Sequence, residues 1–402
     1  MKDTLPAPWQ RAATGANLLA SDGVLGVTIF EEMTTLAVRT GAINLGQGFP
    51  DEDGPAEIKA AAQAAIAEGS NQYAPGKGIP ALRQAVSAHQ HRFYGLAPDP
   101  DTEVIVTTGA TEGIAASLMA FVGPGDEVLT FEPFYDSYGA IIGLSGATHV
   151  TAPLLAPDFM PDPAALEDAF SPRTKVVLIN NPHNPTGAVF PADVLQRVVD
   201  LARKHDALII TDEVYEHLTF GVRHIPVATL PGAAERTVTI SSAGKTFSFT
   251  GWKVGWLSGP EHLVSAIRTV KQFLTYSSGT PFQSAIAAGL GLPDSFYEDI
   301  AATLGKKRDI LSDGLRAAGL DVFTPKGTYF VNVDTSPLGI RDSVELARRL
   351  PALVGVAAIP VPVFCHPDGA ERTRSLLRFA FCKKTEVLEE AAARLATLRD
   401  RL

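Results

Sequence analysis

Ala207-Leu208-Ile209-Ile210-Thr211-Asp212-Glu213-Val214-Tyr215 carries an apolar, β-branched run straight into a carboxylate, with no polar alternation along its length. Such a run suits a strand covered on both faces, as in a mostly parallel sheet with helices on each side. Similar runs occur at Glu103–Thr107, Glu127–Phe131, Lys175–Ile179 and Thr237–Ile240, each closed by a turn or a polar residue and separated by helical patterns. From about Asn44 to Gly259 this is a βαβ rhythm, which predicts an α/β fold. In open sheets of this kind ligands collect at the carboxyl ends of the strands, so the residues after each run are where chemistry is expected.

After about Phe282 the pattern changes. A long helix over Glu298–Ala318 is followed by strand-like Thr328–Val333, Ala357–Pro360 and Leu376–Phe381, with a closing helix over Glu386–Leu402. This predicts a smaller α+β domain over 286–402, a large domain over 46–285, and an N-terminal arm over 1–45 that joins the smaller domain in part.

The 402 residues carry a formal charge of −10 and are 46% hydrophobic. An acidic chain lacks the basic patch that nucleic acid or an anionic membrane requires, so small molecules or proteins are the expected partners. The two cysteines, Cys365 and Cys382, are expected to be free thiols, and no metal-ligand spacing stands out. Met1 to Gln10 lack a basic stretch followed by an apolar run, and no segment reaches about 18 uninterrupted apolar residues; a cytoplasmic protein is expected.

At the strand ends, Ser241-Ser242-Ala243-Gly244-Lys245-Thr246 places a lysine among small residues. It is either one more solvated lysine or a partly desolvated amine suited to carbonyl chemistry. A phosphate loop of the G-x-x-x-x-G-K-[ST] type is excluded, because position 239 is Thr239. Asp212 needs a hydrogen-bonding or cationic partner: it caps a helix, joins a structural ion pair, or faces a protonated ring nitrogen. Asn180-Asn181-Pro182-His183-Asn184-Pro185-Thr186-Gly187 reads as a rigid turn, in which Asn184 is free to donate from its amide. Thr107-Thr108-Gly109-Ala110-Thr111-Glu112-Gly113 leads into a helix over Ile114–Phe121, whose start could bind an anion or be an ordinary cap. Arg378 interrupts an apolar strand, so its guanidinium must pair with a carboxylate of the protein or of a substrate.

In their order along the chain these segments resemble the class I and II aminotransferases, enzymes of fold type I that depend on pyridoxal 5'-phosphate. The resemblance runs from about Val27 to the C-terminus. It is carried by Asn44-Leu45-Gly46-Gln47-Gly48-Phe49-Pro50-Asp51, Gln72-Tyr73-Ala74-Pro75-Gly76-Lys77-Gly78, Asn181 to Gly187, Thr211 to Tyr215, and Ser242 to Trp256. It implies that Lys245 holds the cofactor as a Schiff base, Asp212 pairs with its pyridine nitrogen, and Tyr215 and Asn184 hold its ring hydroxyl. Gly109, Ala110, Ser242 and Lys253, with Thr111 beside them, would surround the phosphate. Tyr135, or Phe134 one place before it, would stack on the ring. Tyr73 would reach the phosphate of a neighbouring subunit in a homodimer. Arg378, Asn184 and the backbone near Gly48 would grip the α-carboxylate, with Phe30 beside the substrate. The implied reaction is transfer of an amino group from an L-amino acid to a 2-oxo acid such as 2-oxoglutarate or pyruvate.

Within that family, Phe49 to Pro55, Glu132 to Tyr138 and Gly279 to Gln283 look most like the N-succinyldiaminopimelate aminotransferases. Kynurenine, glutamine and methionine aminotransferases, some with cysteine-conjugate β-lyase activity, are the alternative. In these the positions of Ser278 and Gly279 carry larger residues, and that of Phe30 is often tryptophan. The smaller wall here points to a bulky or polar substrate side chain.

Overall fold

The protein is described from a computed structural model that covers residues 5–19 and 23–402; Met1–Thr4 and Ala20–Asp22, within the expected arm, lie outside the described residues. Eight strands form the main sheet. In spatial order they are Val104–Thr108, Val254–Ser258, Thr237–Ser242, Leu208–Asp212, Thr174–Asn180, Glu127–Glu132, Thr148–Leu155 and Met160–Pro161. The five strands from Thr237–Ser242 to Thr148–Leu155 run parallel. Alternate side chains of one strand enter opposite cores: Ile209 packs with Val177 and Ile179 on one face, Ile210 with Val176 and Leu178 on the other. Burial on both faces explains the unbroken apolar runs.

Chain order reverses between Thr174–Asn180 and Glu127–Glu132, because the connection after the second strand leads outward in one direction and those after the first lead in the other. Loops leaving in opposite directions open a crevice at the carboxyl ends of the strands. That crevice is where the polar strand ends converge.

Three strands of this sheet lie outside the expected runs, one of them the two-residue edge strand Met160–Pro161. Val254–Ser258 runs antiparallel to both neighbours, since the connection 243–253 is too short for a parallel crossover. Its Gly255 and Trp256 hide the apolar pattern. Thr148–Leu155 lies near the sheet edge and keeps partly exposed polar residues. The helix expected over Ile114–Phe121 begins earlier, at Gly109, so the small-residue turn is its first turn.

A second, antiparallel sheet has the order Asp321–Phe323, Phe330–Asp334, Leu376–Ala380, Ile359–Pro360. Arg378 is central in it, opposite Asn332 on one side and Ile359 on the other. Ile43–Asn44 pairs in parallel with Val356–Ala357, which ties the N-terminal region to this part of the chain. The long helix spans Asp294–Ala317, and the closing helix stops at Leu395 before a 3₁₀ turn over Leu398–Arg401. Ser343–Val354 is also helical, with Asp342 accepting from the Glu345 N–H and Gly355 in the left-handed region at its end. Pro351 inside it obscured the helical signal.

The N-terminal helix Pro8–Gly15 lies against Asp136–Ser145, the helix that borders the crevice. The approach is close enough that a Cβ on Gly143 would stand 2.4 Å from the Arg11 carbonyl oxygen. Arg11 also donates from Nε to the Gly143 carbonyl at 3.0 Å. Gly143→Val is therefore expected to unseat the N-terminal helix, seen as faster proteolytic cleavage before residue 20 and a Tm lower by several degrees. Unchanged protease resistance would contradict this packing account.

Candidate active site

A cavity of about 390 Å³ opens at the reversal point of the sheet. Gly109, Ala110, Thr111, Tyr135, Asn184, Asp212, Tyr215, Ser242, Lys245 and Lys253 line it, as do Phe30, Gly48 and Arg378. Tyr73 stands apart, 83% exposed, with its ring edge against Tyr276 at 5.5 Å. Phe134 is buried against His149 and His366, so Tyr135 is the aromatic residue of that pair in the cavity wall.

Asp212 ends its strand fully enclosed, and burial pushes its carboxyl up to about 6. The Tyr138 hydroxyl donates to one carboxylate oxygen at 2.7 Å, and the Val214 N–H approaches the other at 3.4 Å. No helix starts here, so Asp212 is not a helix cap. Among the described residues it has no ion-pair partner; the nearby positive charge is Lys245, on the adjacent strand's continuation. Burial lowers the Lys245 amine below the ordinary lysine range. Its Nζ lies 5.7 Å from the centroid of the Tyr215 ring and 5.6 Å from that of Tyr329. A carboxylate and an amine held apart across a cavity form an arrangement open to a ligand that has a basic ring nitrogen and a carbonyl.

Close by, the backbone forms an anion cradle. Gly109, at φ 71°, opens the helix Gly109–Phe121, whose first-turn N–H groups have no intrahelical acceptor and together with the helix dipole favour a phosphate. A Cβ on Gly109 would stand 3.3 Å from Lys253 Nζ, so that ammonium lies directly over the cradle. A Cβ on Gly255 would strike the Gly109 carbonyl carbon at 2.5 Å. Glycine at both positions keeps this space open, and the donor set fits a bound phosphate monoester.

Arg378 is 1% exposed. Its guanidinium donates to Asn184 Oδ1 at 2.8 Å and to the Gly46 carbonyl at 3.1 Å, and it lies 4.0 Å from the Phe330 ring centroid. Its Nε has no hydrogen-bond partner. Burial lowers its pKa to about 10, so it stays charged at neutral pH. Among the described residues no carboxylate forms an ion pair with it. A buried cation left in this state is suited to a bidentate carboxylate from a ligand. Gly48 must be small, because a Cβ there would stand 2.3 Å from the Phe330 ring.

The turn after Asn180 is held by side chains. Asn180 donates to the Asp212 carbonyl at 2.8 Å and accepts from the Asn184 N–H at 2.7 Å. His183 is buried within the turn beside the Thr186 hydroxyl, and burial lowers its pKa to about 3. It is therefore a neutral structural residue. Tyr138, Asn180, Phe330 and Asp136 also line the cavity without having been assigned a role from sequence. Tyr138 could have been found from its helical spacing after Tyr135. Phe330 could not, since it comes from the distant second sheet.

The profile of the family "Aminotransferase class I and II" matches residues 40–395. A probable N-succinyldiaminopimelate aminotransferase of Mycobacterium tuberculosis is 49% identical over 93% of this chain and 96% of its own length. The methionine aminotransferase of Escherichia coli is 41% identical over the same two shares. The solved structure of the M. tuberculosis N-succinyldiaminopimelate aminotransferase superposes with a TM-score of 0.90 at 50% identity, covering 92% of this chain and 97% of that one.

Burial of Asp212 has a measurable cost when no ligand is bound. Its folded pKa lies above the unfolded value of 3.8, so the native state takes up the proton first, and stability falls as pH rises between about 4 and 6. Asp212→Asn removes this penalty. In the cofactor-free protein the variant is expected to be more stable by up to about 3 kcal/mol above pH 6, with the difference vanishing below about pH 4. Paired urea titrations at pH 4 and pH 8 would test this; equal stability at pH 8 would refute it.

Proposed function

Because this chain belongs to the class I and II aminotransferases and is a pyridoxal-phosphate-dependent enzyme of fold type I, we propose that it transfers the amino group of an L-amino acid with an extended polar side chain, N-succinyl-diaminopimelate or a close analogue, to a 2-oxo acid. The observation that carries the reaction is the separation of Asp212 from Lys245 across one cavity, beside an unpaired Arg378. Support for the substrate comes from the 49% identity to the M. tuberculosis relative; Ser278 and Gly279, expected to form a small wall, are not among the residues that line the cavity of this chain. The second reading, a methionine, glutamine or kynurenine aminotransferase, is favoured by the 41% identity to the E. coli enzyme.

When bound, pyridoxal phosphate supplies a carbonyl for the amine and a ring that spreads the negative charge left on the substrate carbon. The residues of the chain make this selective. Asp212 would keep the ring nitrogen protonated, with Tyr138 orienting its carboxylate. Gly109, Ala110, Thr111, Ser242 and Lys253 would hold the phosphate, Tyr135 the ring face, and Tyr215 and Asn184 the ring hydroxyl. Arg378 would fix the substrate α-carboxylate, with Phe30 and Gly48 beside it, so that the Cα proton faces Lys245. Lys245 Nζ, with its basicity lowered by burial, is the base for that proton. The same amine would return the proton one atom further along the conjugated system.

Tyr73 is too exposed to serve its own cavity, and Phe273, Leu274 and Tyr276 are exposed with it. We read this surface as the contact of a homodimer in which Tyr73 serves the partner's phosphate site. The division at 46 and 285 is retained as the domain proposal; pairing of Ile43–Asn44 with Val356–Ala357 supports joining the arm to the smaller domain. Among the described residues no helix is long and apolar enough to cross a membrane. A cytoplasmic location is supported by the two buried free thiols.

Lys245→Ala is expected to lose both the visible absorbance of the bound cofactor and the borohydride-reducible link; survival of both would refute the role given to Lys245. Arg378→Lys should raise KM by ~30- to 100-fold, because a point charge replaces a bidentate fork. To test the substrate, single-turnover half-reactions would compare N-succinyl-diaminopimelate, glutamate, kynurenine, methionine and glutamine. Fast conversion of the succinylated compound alone supports the first reading, and broad conversion of the others supports the second.

A further inference from the structure

Beside the segment that follows Asp212, but outside the cavity, a second group of polar side chains is buried. Glu216 and His217 directly follow Tyr215, and the helix Pro80–Tyr94 brings His89 to them. His89 Nε2 stands 2.7 Å from His217 Nε2. One ligand atom from each of His89, Glu216 and His217 lies within 4.8 Å of the other two. Glu216 is 4% exposed. Ser241 donates from Oγ to its Oε1 at 2.6 Å, whereas Oε2 has no hydrogen-bond partner. Among the described residues no lysine or arginine forms an ion pair with Glu216; Arg92, over the Phe93 ring, is engaged by Asp294 and by the Leu292 carbonyl. The rings of Phe93 and Tyr297 close the group off, 4.7 and 4.3 Å from that of His217 between centroids. Burial lowers the pKa of both imidazoles, that of His217 to about 3, so each is neutral at pH 7 and has a lone pair to give. A carboxylate enclosed beside two neutral imidazoles lacks a counter-charge, which a divalent cation supplies and a proton shared between the nitrogens does not. The other imidazole pair differs: His149 Nδ1 meets His366 Nε2 at 3.0 Å, but His149 Nε2 is taken by the Thr130 hydroxyl, and among the described residues no carboxylate completes a ligand set there.

We propose that His89, Glu216 and His217 form a binding site for one divalent transition-metal ion of the zinc class, held by Nε2 of each histidine and a carboxylate oxygen of Glu216, with water in the fourth position. Two imidazoles and one carboxylate suit zinc rather than magnesium or calcium, which take shells of oxygen. Ligand atoms about 2.0–2.1 Å from a tetrahedral ion lie roughly 3.3 Å apart, so the imidazoles must part slightly and the carboxylate draw in. His217 is only partly buried and sits in a turn, which gives its ring room to shift and water a way in. The ion would tie the helix Pro80–Tyr94 to the segment that carries Asp212 and Tyr215, and through Ser241 to the strand that leads into Lys245. Its role is structural and independent of which amino acid is the substrate. No spacing in the sequence points to it, because 128 positions separate His89 from His217.

The test uses the holoenzyme, stripped with EDTA, exposed to zinc chloride and desalted. About one zinc per chain is expected to remain. With free zinc at ~100 times its dissociation constant, Tm should lie about 3 °C or more above its value in EDTA. His89→Gln keeps a polar group against His217 and should lose both effects while retaining the absorbance of the bound cofactor. Zinc-edge X-ray absorption of the wild type needs no variant: two imidazole nitrogens and an oxygen at about 2.0–2.1 Å are expected. Zinc lost from the wild type on desalting, zinc retained equally by His89→Gln, or zinc surrounded by sulfur or by oxygen alone would overturn the proposal. Should His89→Gln fail to fold, the absorption spectrum decides.

Discussion

Everything at the centre of this protein depends on an uncompensated carboxylate, Asp212, held in the interior at the end of a strand. Burying a charge without a partner is costly, and here the cost appears as a pKa raised to about 6 despite the Tyr138 hydrogen bond. Two packed cores on either face of the sheet keep the strand in place, so the carboxylate cannot move out to water. On the proposed reading, a protonated ring nitrogen would remove the imbalance, which would make cofactor binding and local stability parts of one energy balance.

The same logic extends to the cations. Lys245 is half-buried with no carboxylate in direct contact, and Arg378 is enclosed by Phe330, Phe364 and Phe30 with neutral oxygen acceptors only. On the proposed reading each would engage a ligand atom, Lys245 as nucleophile and Arg378 as donor. Because Arg378 lies in the second sheet and Asp212 in the first, the groups proposed to hold substrate and cofactor face the cavity from opposite walls. On the proposed reading, the relative placement of the two sheets would therefore set the reaction geometry. Contacts such as Asn332 with the Pro185 carbonyl and Arg378 with Asn184 join the walls directly.

Much of this was legible from the chain. The parallel strands announce themselves because burial on both faces demands uninterrupted apolar residues, and Asp212, Asn180 and Lys245 are conspicuous as the polar groups that end or follow such runs. Val254–Ser258 was not legible: an antiparallel insertion containing glycine gives neither periodicity nor a continuous run. The Ser343–Val354 helix was hidden by Pro351. At the site, Tyr138 was legible from its helical spacing after Tyr135, whereas Asp136 was visible only as part of a motif, since nothing local to it shows that it borders a cavity.

The sequence by itself determined the α/β sheet, the residues at its strand ends and the family to which the chain belongs, because these rest on local pattern and residue order. Tertiary structure alone decided the reversal of strand order, the meeting of Arg378 with Asn184 across 194 positions, the choice of Tyr135 over Phe134 as the cavity-wall aromatic, and the opening of Asp136 onto the cavity. Each of these is a relation between segments far apart in the chain, fixed by how two sheets pack. Residue order carries the chemistry of each segment, but the distances between segments arise only once the cores have closed.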